Sequence, residues 1–442
     1  MGAPILRQPA GWPSVLLGRA GRLDPPAGLA EAEKLGAWAA WKGAVRQGPE
    51  AVVRAVGDAG LRGRGGAGYP TADKWRAVRG QAAPVRYAVA NGYEADPGTV
   101  VDRTLMETDP HAVLEGLALA AFAVGAQEAY LVVRADATVA ISRLTAALEA
   151  AQAAGYLGDD VLGSGVTVEL QIQPLEGGFV LGEETVLLKA LEGKRGVPEQ
   201  RPPYPAQRGL FGAPTAVNNV ATLASVPWLL SNGPARYRAI GDPDFPGTIL
   251  VQLSGAVHRP GVAEVPTGTP IAAVVEQAGG GVTGALKAVL VGGPSGGFLP
   301  PDGLATPLVP DALEAAGAIL GSGSLVVLNE HACIVELATL MERFMNDESC
   351  GKCIPCRIGT RRLTEIGERF MSGRPRPTDA GLLLDLAADV RDGSLCGHGI
   401  TAPNPLTSGM RYFQKEFEDH AVRGRCAAGV CKPLRVAAGA AR

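Results

Sequence analysis

From about residue 50, apolar and polar positions alternate in a rhythm of short β-like runs and longer helical ones. Residues 50–56 carry helical spacing, and residues 85–90 form a short β-like run ending at Asn91-Gly92. Asp109-Pro110 puts a capping carboxylate ahead of a proline at the first helical position, which predicts a helix to about Val124. Residues 130–133 read as a strand, 135–153 as a helix and 166–173 as another strand. That succession of βαβ units predicts an α/β, three-layer domain with a largely parallel sheet.

A different pattern begins near Gly247. Residues 248–253 and 261–265 are strand-like around an Arg259-Pro260-Gly261 turn, followed by a helix over 269–277 and a strand over 288–291. Beyond Glu330 the chain is helical to about His420, interrupted by cysteines. The first 45 residues are rich in Pro, Gly and Ala, with one helical stretch near 29–42. They are expected to form an arm lying on the body or on a partner.

Charge narrows the function classes. In 442 residues, 41 basic and 44 acidic side chains leave a net charge of −3, so no global field draws the chain to nucleic acid or anionic lipid. Hydrophobic residues at 46% exclude disorder, while 60 glycines and 34 prolines require many turns and backbone-lined loops. The most apolar stretch, 116–126, is bracketed by Glu115 and Glu128 and is too short to span a bilayer. The N-terminus has Arg7 and early prolines without an apolar core, unlike a secretory signal. Leu6 stands where a myristoylation site wants Ser or Thr. Seven cysteines in such a chain point to metal ligation and a cytoplasmic protein rather than a disulfide framework.

Cys350, Cys353 and Cys356 are spaced C-x2-C-x2-C, with Gly351 and Pro355 between them. Three thiolates in series suit the corners of an iron–sulfur cube better than a zinc ion, which usually takes cysteines in pairs. A helix near 380–391 can turn the chain back so that Cys396 supplies the fourth ligand of a [4Fe-4S] cluster. His420, Cys426 and Cys431, with the remote Cys333, have the ligand types of a structural Cys3His zinc site. His331 is a competing donor, and a tail with unligated thiols is the alternative.

Gly63-Arg64-Gly65-Gly66-Ala67-Gly68 satisfies G-x-G-x-x-G, but no strand precedes it and Tyr69-Pro70 follows it, so it is no Rossmann fingerprint. Its backbone N–H groups can still cradle phosphate, with Arg62, Arg64 and Lys74 supplying charge; a plain glycine turn is the bland alternative. Asn218-Asn219 in an apolar run calls for a partner rich in donors and acceptors. The adjacent Glu183 and Glu184 are unsuited to glycosidase chemistry, because sequence neighbours seldom face each other across a scissile bond.

Taken in order, G-L-R-G-R-G-G-A-G-Y-P-T-A-D-K-W (60–75), N-G-Y-E-A-D-P-G-T (91–99), G-E-E-T (182–185), L-E-G-K-R-G (191–196), P-T-A-V-N-N-V-A-T-L (214–223) and E-S-C-G-K-C-I-P-C-R (348–357) resemble one family. It is the flavoprotein subunit of NADH:quinone oxidoreductase (respiratory complex I), with the diaphorase-type subunits of NAD-dependent formate dehydrogenases and multimeric hydrogenases. The ending S-L-C-G-H-G-I-T-A-P-N-P (394–405) is more similar to the hydrogenase and formate dehydrogenase branch.

The resemblance implies an N-terminal arm (1–49), a Rossmann-like FMN/NADH domain (50–244) and a ubiquitin-like β-grasp domain (245–330). A helical [4Fe-4S] domain (331–425) and a tail (426–442) would follow. It places FMN among Gly63, Arg64, Gly65, Lys74, Asn91, Gly182, Glu183, Glu184, Asn218, Asn219 and Thr222. It places NADH near Gly66, Ala67, Tyr69, Glu94, Asp96 and Tyr204, with Glu94 and Glu184 as the catalytic carboxylates. The implied partners are a thioredoxin-like [2Fe-2S] subunit and a larger iron–sulfur catalytic subunit, with peripheral attachment to the inner membrane through the complex. Departures from the family pattern are Tyr93 for an aspartate, Phe179 for a tyrosine, Ala77 for an adenine-stacking phenylalanine and Asp96 for a glutamate. They set up two readings. One is an NAD(H):FMN oxidoreductase subunit that passes electrons to the cluster; the other is a non-catalytic relay or scaffold with a degenerate flavin site.

Overall fold

The structure is a computed structural model and describes residues 3–25, 27–432 and 434. Position 433 and residues 435–442 of the expected tail lie outside the described residues. The chain divides into two compact units. The first comprises residues 3–95, 99–251 and 262–269, and the second residues 96–98, 252–261 and 270 onward.

In the first unit, helices α1 (Leu29–Lys34), α2 (Ala39–Gln47), α3 (Pro49–Asp58) and α4 (Thr71–Arg79) precede strand β1 (Tyr87–Gly92). Then follow α5 (Val101–Thr108), α6 (Pro110–Val124), β2 (Glu128–Arg134), α7 (Thr138–Ala153), β3 (Glu169–Leu175), α8 (Glu184–Leu191), β4 (Thr215–Asn219), α9 (Val220–Asn232) and α10 (Pro234–Arg238). A two-residue ribbon, β5 (Gly241–Asp242) with β6 (Phe245–Pro246), closes this part. The sheet is parallel throughout, in the order β3-β2-β1-β4. The predicted βαβ rhythm is present; β4, hidden in the apolar run around the asparagines, was not anticipated as a strand. Asp109 caps α6 as predicted, its Oδ1 accepting Ala112 N–H at 3.0 Å. Every residue of α6 is buried, which accounts for a helix that is apolar all round.

The N-terminal arm lies on this unit. Buried carboxylates receive its backbone N–H groups: Glu264 accepts from Val15, Leu16 and Leu17 at 2.7, 2.8 and 2.9 Å. Glu115 accepts from Trp38 and Trp41 at 2.8 and 3.0 Å. Burying Leu16, Trp38 and Trp41 supplies the apolar side of the same attachment.

The second unit contains β7 (Thr248–Gly255), β8 (Gly261–Pro266), α11 (Ile271–Ala273), β9 (Leu286–Val291), β10 (Gly297–Leu299), α12 (Pro310–Ala315) and β11 (Ser324–Asn329), in a sheet ordered β10-β9-β11-β7-β8. Residues 248–251 of β7 and 262–266 of β8 group with the first unit. The helix expected over 269–277 is a single α-turn running into a π-turn, Val274–Ala278. Helices α13 (Ile334–Asp347), α14 (Ile354–Met371), α15 (Asp379–Gly393), α16 (Gly397–Thr401), α17 (Asn404–Tyr412) and α18 (Gln414–Arg423) complete it. Among the described residues, no helix is long and apolar enough to cross a membrane.

Candidate functional site

In the first unit the chain runs outward from β1 to β2 and β3, then returns to place β4 on the other side of β1. In open parallel sheets, ligands bind outside the carboxyl ends of the strands at such a reversal. Here that end is lined by amides, because Ala90 is in register with Asn218 and Asn91 with Asn219.

Around it a connected set of polar groups assembles. Arg64 N donates to Thr222 Oγ1 at 2.8 Å, which ties the glycine loop to the first turn of α9. Asn219 caps α9, its Oδ1 accepting from Ala221 N at 2.8 Å, while its Nδ2 donates to Asp102 at 2.6 Å. Glu94 caps α5 through the N–H groups of Asp102 and Arg103, at 3.0 and 3.1 Å. Lys74 Nζ donates to Val217 O at 2.7 Å and faces Glu184 at 3.5 Å. Arg201 bridges Glu183 and Glu184, the latter at 3.0 Å. Glu183 caps α8, accepting from Thr185 and Val186 N–H at 2.9 and 3.0 Å. Asn91 Nδ2 reaches Gly182 O at 2.8 Å, and Trp75 Nε1 holds Asn218 Oδ1 at 2.9 Å.

The electrostatics are unusual at two carboxyls. Burial, then the neighbouring Asp102 charge, raises Glu94 to about 8. Burial raises Asp102 to about 7 against the opposing Asn219 hydrogen bond. The pair therefore retains a proton near neutrality.

These residues fit a phosphate-bearing planar cofactor. Arg64 is 9% exposed, yet its Nε and Nη1 have no partner, and the buried Thr71 Oγ1 is likewise unmatched. Buried donors of this kind call for an anion or acceptor. Gly65 lies so near Asn219 that a Cβ on it would sit 3.2 Å from the Asn219 Cβ, so the backbone itself lines the cradle. Tyr69 and Tyr204 are each 54% exposed and present open aromatic faces.

Not every expected residue joins this set. Asp96 belongs to the short segment grouped with the second unit, where it accepts from Ser322 and from Gly98 N–H at 2.9 Å. Gly63, Gly66 and Ala67 contribute loop backbone, with Gly63 N donating to Tyr69 O at 2.9 Å. Asp102 and Arg201 escaped the sequence reading, and Trp75, the last residue of the 60–75 motif, was assigned no role there.

In the second unit Cys353 precedes the first turn of α14, Cys356 lies within that turn, and Cys396 precedes α16. Gly351 turns the loop at φ +75°. Burial pushes the Cys356 thiol up to about 12, reinforced by charge on Cys353, Cys396 and Cys350 and opposed by Ser349. Cys356 thus lies in the electrostatic neighbourhood of Cys350, Cys353 and Cys396, the donor set that a [4Fe-4S] cluster would take.

Cys333, His420, Cys426 and Cys431 form a second group, all buried, with ligand atoms within 4.8 Å of one another. His420 Nε2 lies 3.5 Å from Cys333 Sγ and 3.4 Å from Cys431 Sγ, and these two sulfurs are 3.7 Å apart. A zinc tetrahedron with bonds of about 2.3 Å has sulfur–sulfur edges of about 3.8 Å. His420 Nδ1 meets Glu416 O at 2.8 Å, which fixes the ring with Nε2 inward. The Cys431 hydrogen bond, then His420, pulls Cys333 down to about 4 in spite of burial. His331 stays outside this group, its side chain 82% exposed beside Glu330.

Comparison with known proteins gives these regions their family. The family model described as the Nuo51 FMN-binding domain matches residues 56–228, the SLBB domain 250–299, and the NADH-ubiquinone oxidoreductase-F iron-sulfur binding region 336–420. The HndC subunit of the NADP-reducing hydrogenase of Solidesulfovibrio fructosivorans is 42% identical, over 87% of this chain and 79% of its own. The F 2 subunit of the NADH-quinone oxidoreductase of Rhizobium meliloti (strain 1021) is 41% identical, over 86% of this chain and 90% of its own. A crystal structure of NAD+-reducing [NiFe]-hydrogenase in the H2-reduced state superposes with a TM-score of 0.81 at 38% identity, over 87% of this chain and 64% of that one. With two such relatives matched over most of their length and both cofactor regions recognised, the chain belongs to the NADH-quinone oxidoreductase F-subunit family, with its FMN-binding and 4Fe-4S-binding regions.

Proposed function

We propose that this chain is the NAD(H):FMN oxidoreductase subunit of a multisubunit redox complex, passing electrons between NAD(H) and a [4Fe-4S] cluster on Cys350, Cys353, Cys356 and Cys396. The observation that carries the flavin site is the connected polar set at the reversal between β1 and β4, with unmatched donors on Arg64. FMN, when bound, supplies the conversion between a two-electron hydride carrier and one-electron transfers to the cluster.

The chain's own residues do the rest. Gly63, Gly65, Arg64 and Lys74 hold the phosphate, while Asn91, Asn218, Asn219 and Thr222 hold the ring edge. Gly182, Glu183 and Glu184 form the opposite wall. Gly66, Ala67, Tyr69 and Tyr204 offer backbone and aromatic faces to the nicotinamide nucleotide, with Asp96 assigned to the same ligand. Glu94 and Glu184 are assigned as the catalytic carboxylates. Their role is to orient the dinucleotide, and Glu94 shares a proton with Asp102. A zinc ion on Cys333, His420, Cys426 and Cys431 would be structural, since a closed set of four protein ligands leaves no open position.

The relatives are named as subunits of a quinone oxidoreductase and of a hydrogenase, which supports redox partner subunits here as well. A thioredoxin-like [2Fe-2S] subunit and a larger iron–sulfur subunit are the neighbours we assign, in a cytoplasmic complex.

The test is to purify the complex, measure FMN per chain and assay NADH-dependent ferricyanide reduction. About one FMN per chain and turnover are expected. A cluster-replete sample lacking both overturns the assignment in favour of a non-catalytic relay.

A further inference from the structure

Tyr93 directly follows the end of β1 that carries Asn91, a residue assigned above to the flavin site. The Tyr93 side chain does not lie open at the cleft. It is 5% exposed and packs in an apolar cluster with Val89, Val132, Leu181, Val186 and Val217. Its hydroxyl donates to Gly177 O at 2.5 Å, and the Arg134 guanidinium stands 5.8 Å from its ring centroid. Two residues earlier, Asn91 Nδ2 donates to Gly182 O at 2.8 Å, while Asn91 Oδ1 accepts Tyr93 N–H at 3.1 Å. One strand end therefore grips the segment 177–182 at its first and last carbonyls. That segment runs straight into Glu183, the cap of α8, and Glu184.

The chemistry of the grip requires a donor. A carbonyl only accepts, and an ionised carboxylate only accepts, so aspartate at 93 would repel Gly177 O where tyrosine bonds it. Space is tight as well: a Cβ on Gly177 would lie 2.6 Å from Leu181 Cδ1 and 3.4 Å from the Tyr93 hydroxyl. The loop is folded against the phenol, and the hydroxyl holds its near end.

We propose that Tyr93 is a positioning residue that latches the segment 177–182 and thereby aims Glu183 and Glu184 at the nucleotide. Its consequence for turnover rests on the flavin-site reading above, whereas the latch itself does not. Tyr93→Phe keeps the ring and removes only the donor. On the flavin-free chain, amide hydrogen exchange over 178–182 should accelerate about five- to ten-fold in the variant, the loss expected for one hydrogen bond. In the FMN-loaded complex, the KM for NADH should rise by a similar factor of about five, with kcat held within about two-fold and flavin content unchanged. Adding Asn91→Ala should accelerate exchange by more than the product of the single effects, because both bonds restrain one segment. Unchanged exchange over 178–182 in Tyr93→Phe overturns the latch even where FMN binds normally. Faster exchange with unaltered KM overturns the link from the latch to the nucleotide. A chain with no flavin but accelerated exchange keeps the latch and rejects the flavin assignment instead.

Discussion

The two cysteine sites of the second unit are built on opposite plans. The Cys350 site draws three of its ligands from seven consecutive residues, and Cys350, Cys353 and Cys396 remain half-exposed. The Cys333 site gathers ligands from both ends of the helical region, with Cys333 and Cys431 separated by 98 positions, and none of its four residues is more than 6% exposed. A cluster that exchanges electrons needs ligands near a surface a partner can approach. An ion that only ties chain ends together is best buried, where water and chelators do not reach it. The difference teaches that local spacing marks the proposed redox centre, whereas the donor set proposed for zinc forms only when the bundle closes.

The comparison breaks most decisively at the cluster. Cys353→Ser should abolish the [4Fe-4S] electron paramagnetic resonance signal and leave about one FMN per chain, since the cluster and flavin residues belong to different compact units. Simultaneous loss of flavin would refute that independence. Next in size, Cys426→Ser should release the zinc, from about one per chain to none by metal analysis, and destabilise the protein by about 4 kcal/mol or more, in the range reached when a structural metal is lost. An unchanged zinc content would reject the Cys3His assignment.

A smaller effect tests the bundle both sites share. Glu342 on α13 is fully buried, and neither carboxylate oxygen has a partner. Burial pushes its carboxyl well above the ordinary range. Glu342→Leu should stabilise the chain by about 1–3 kcal/mol, by removing an unmatched buried polar group. The sign with pH follows from linkage. The folded state keeps a proton that the unfolded chain loses near pH 4.3, so the parent's stability declines as pH rises above about that value, while the variant's does not. Denaturation at pH 5 and pH 8 should show a gap that widens at the higher pH; a constant gap contradicts the burial argument. Smallest of all, Ser349→Ala removes the contact at 3.3 Å from Ser349 Oγ to Cys356 Sγ. It should lower the cluster midpoint potential modestly, because donors to the sulfurs favour the reduced, more negative cluster. A redox titration showing no change would mean the hydroxyl donates elsewhere.

Particular residues show how much was legible beforehand. Asp109-Pro110 and the apolar run behind it carry the α6 cap and its buried helix in one uninterrupted stretch, so short-range rules suffice. The glycine loop and the cysteine triplet are local for the same reason. Strand β4 was missed because an apolar run ending in two asparagines has no clear period, and only pairing with β1 makes it a strand. Asp102 and Arg201 were missed, and Trp75 was assigned no role, because each earns its place through a partner more than ten residues away. Asp96 and Glu94 are two positions apart, yet their side chains bind groups in different compact units, which no short-range rule anticipates.

By itself the sequence determined the family, the α/β rhythm, the candidate cluster cysteines and the polar residues suited to a flavin, because each of these rests on residue type and short spacing. Only the tertiary structure decided that Cys333 meets Cys431, that Glu94 lies against the first turn of α5 at Asp102, and that the Tyr93 phenol turns into the apolar layer to hold a glycine carbonyl. Those facts depend on which distant segments close upon each other, and burial then sets the charge and hydrogen-bond partners of every group enclosed.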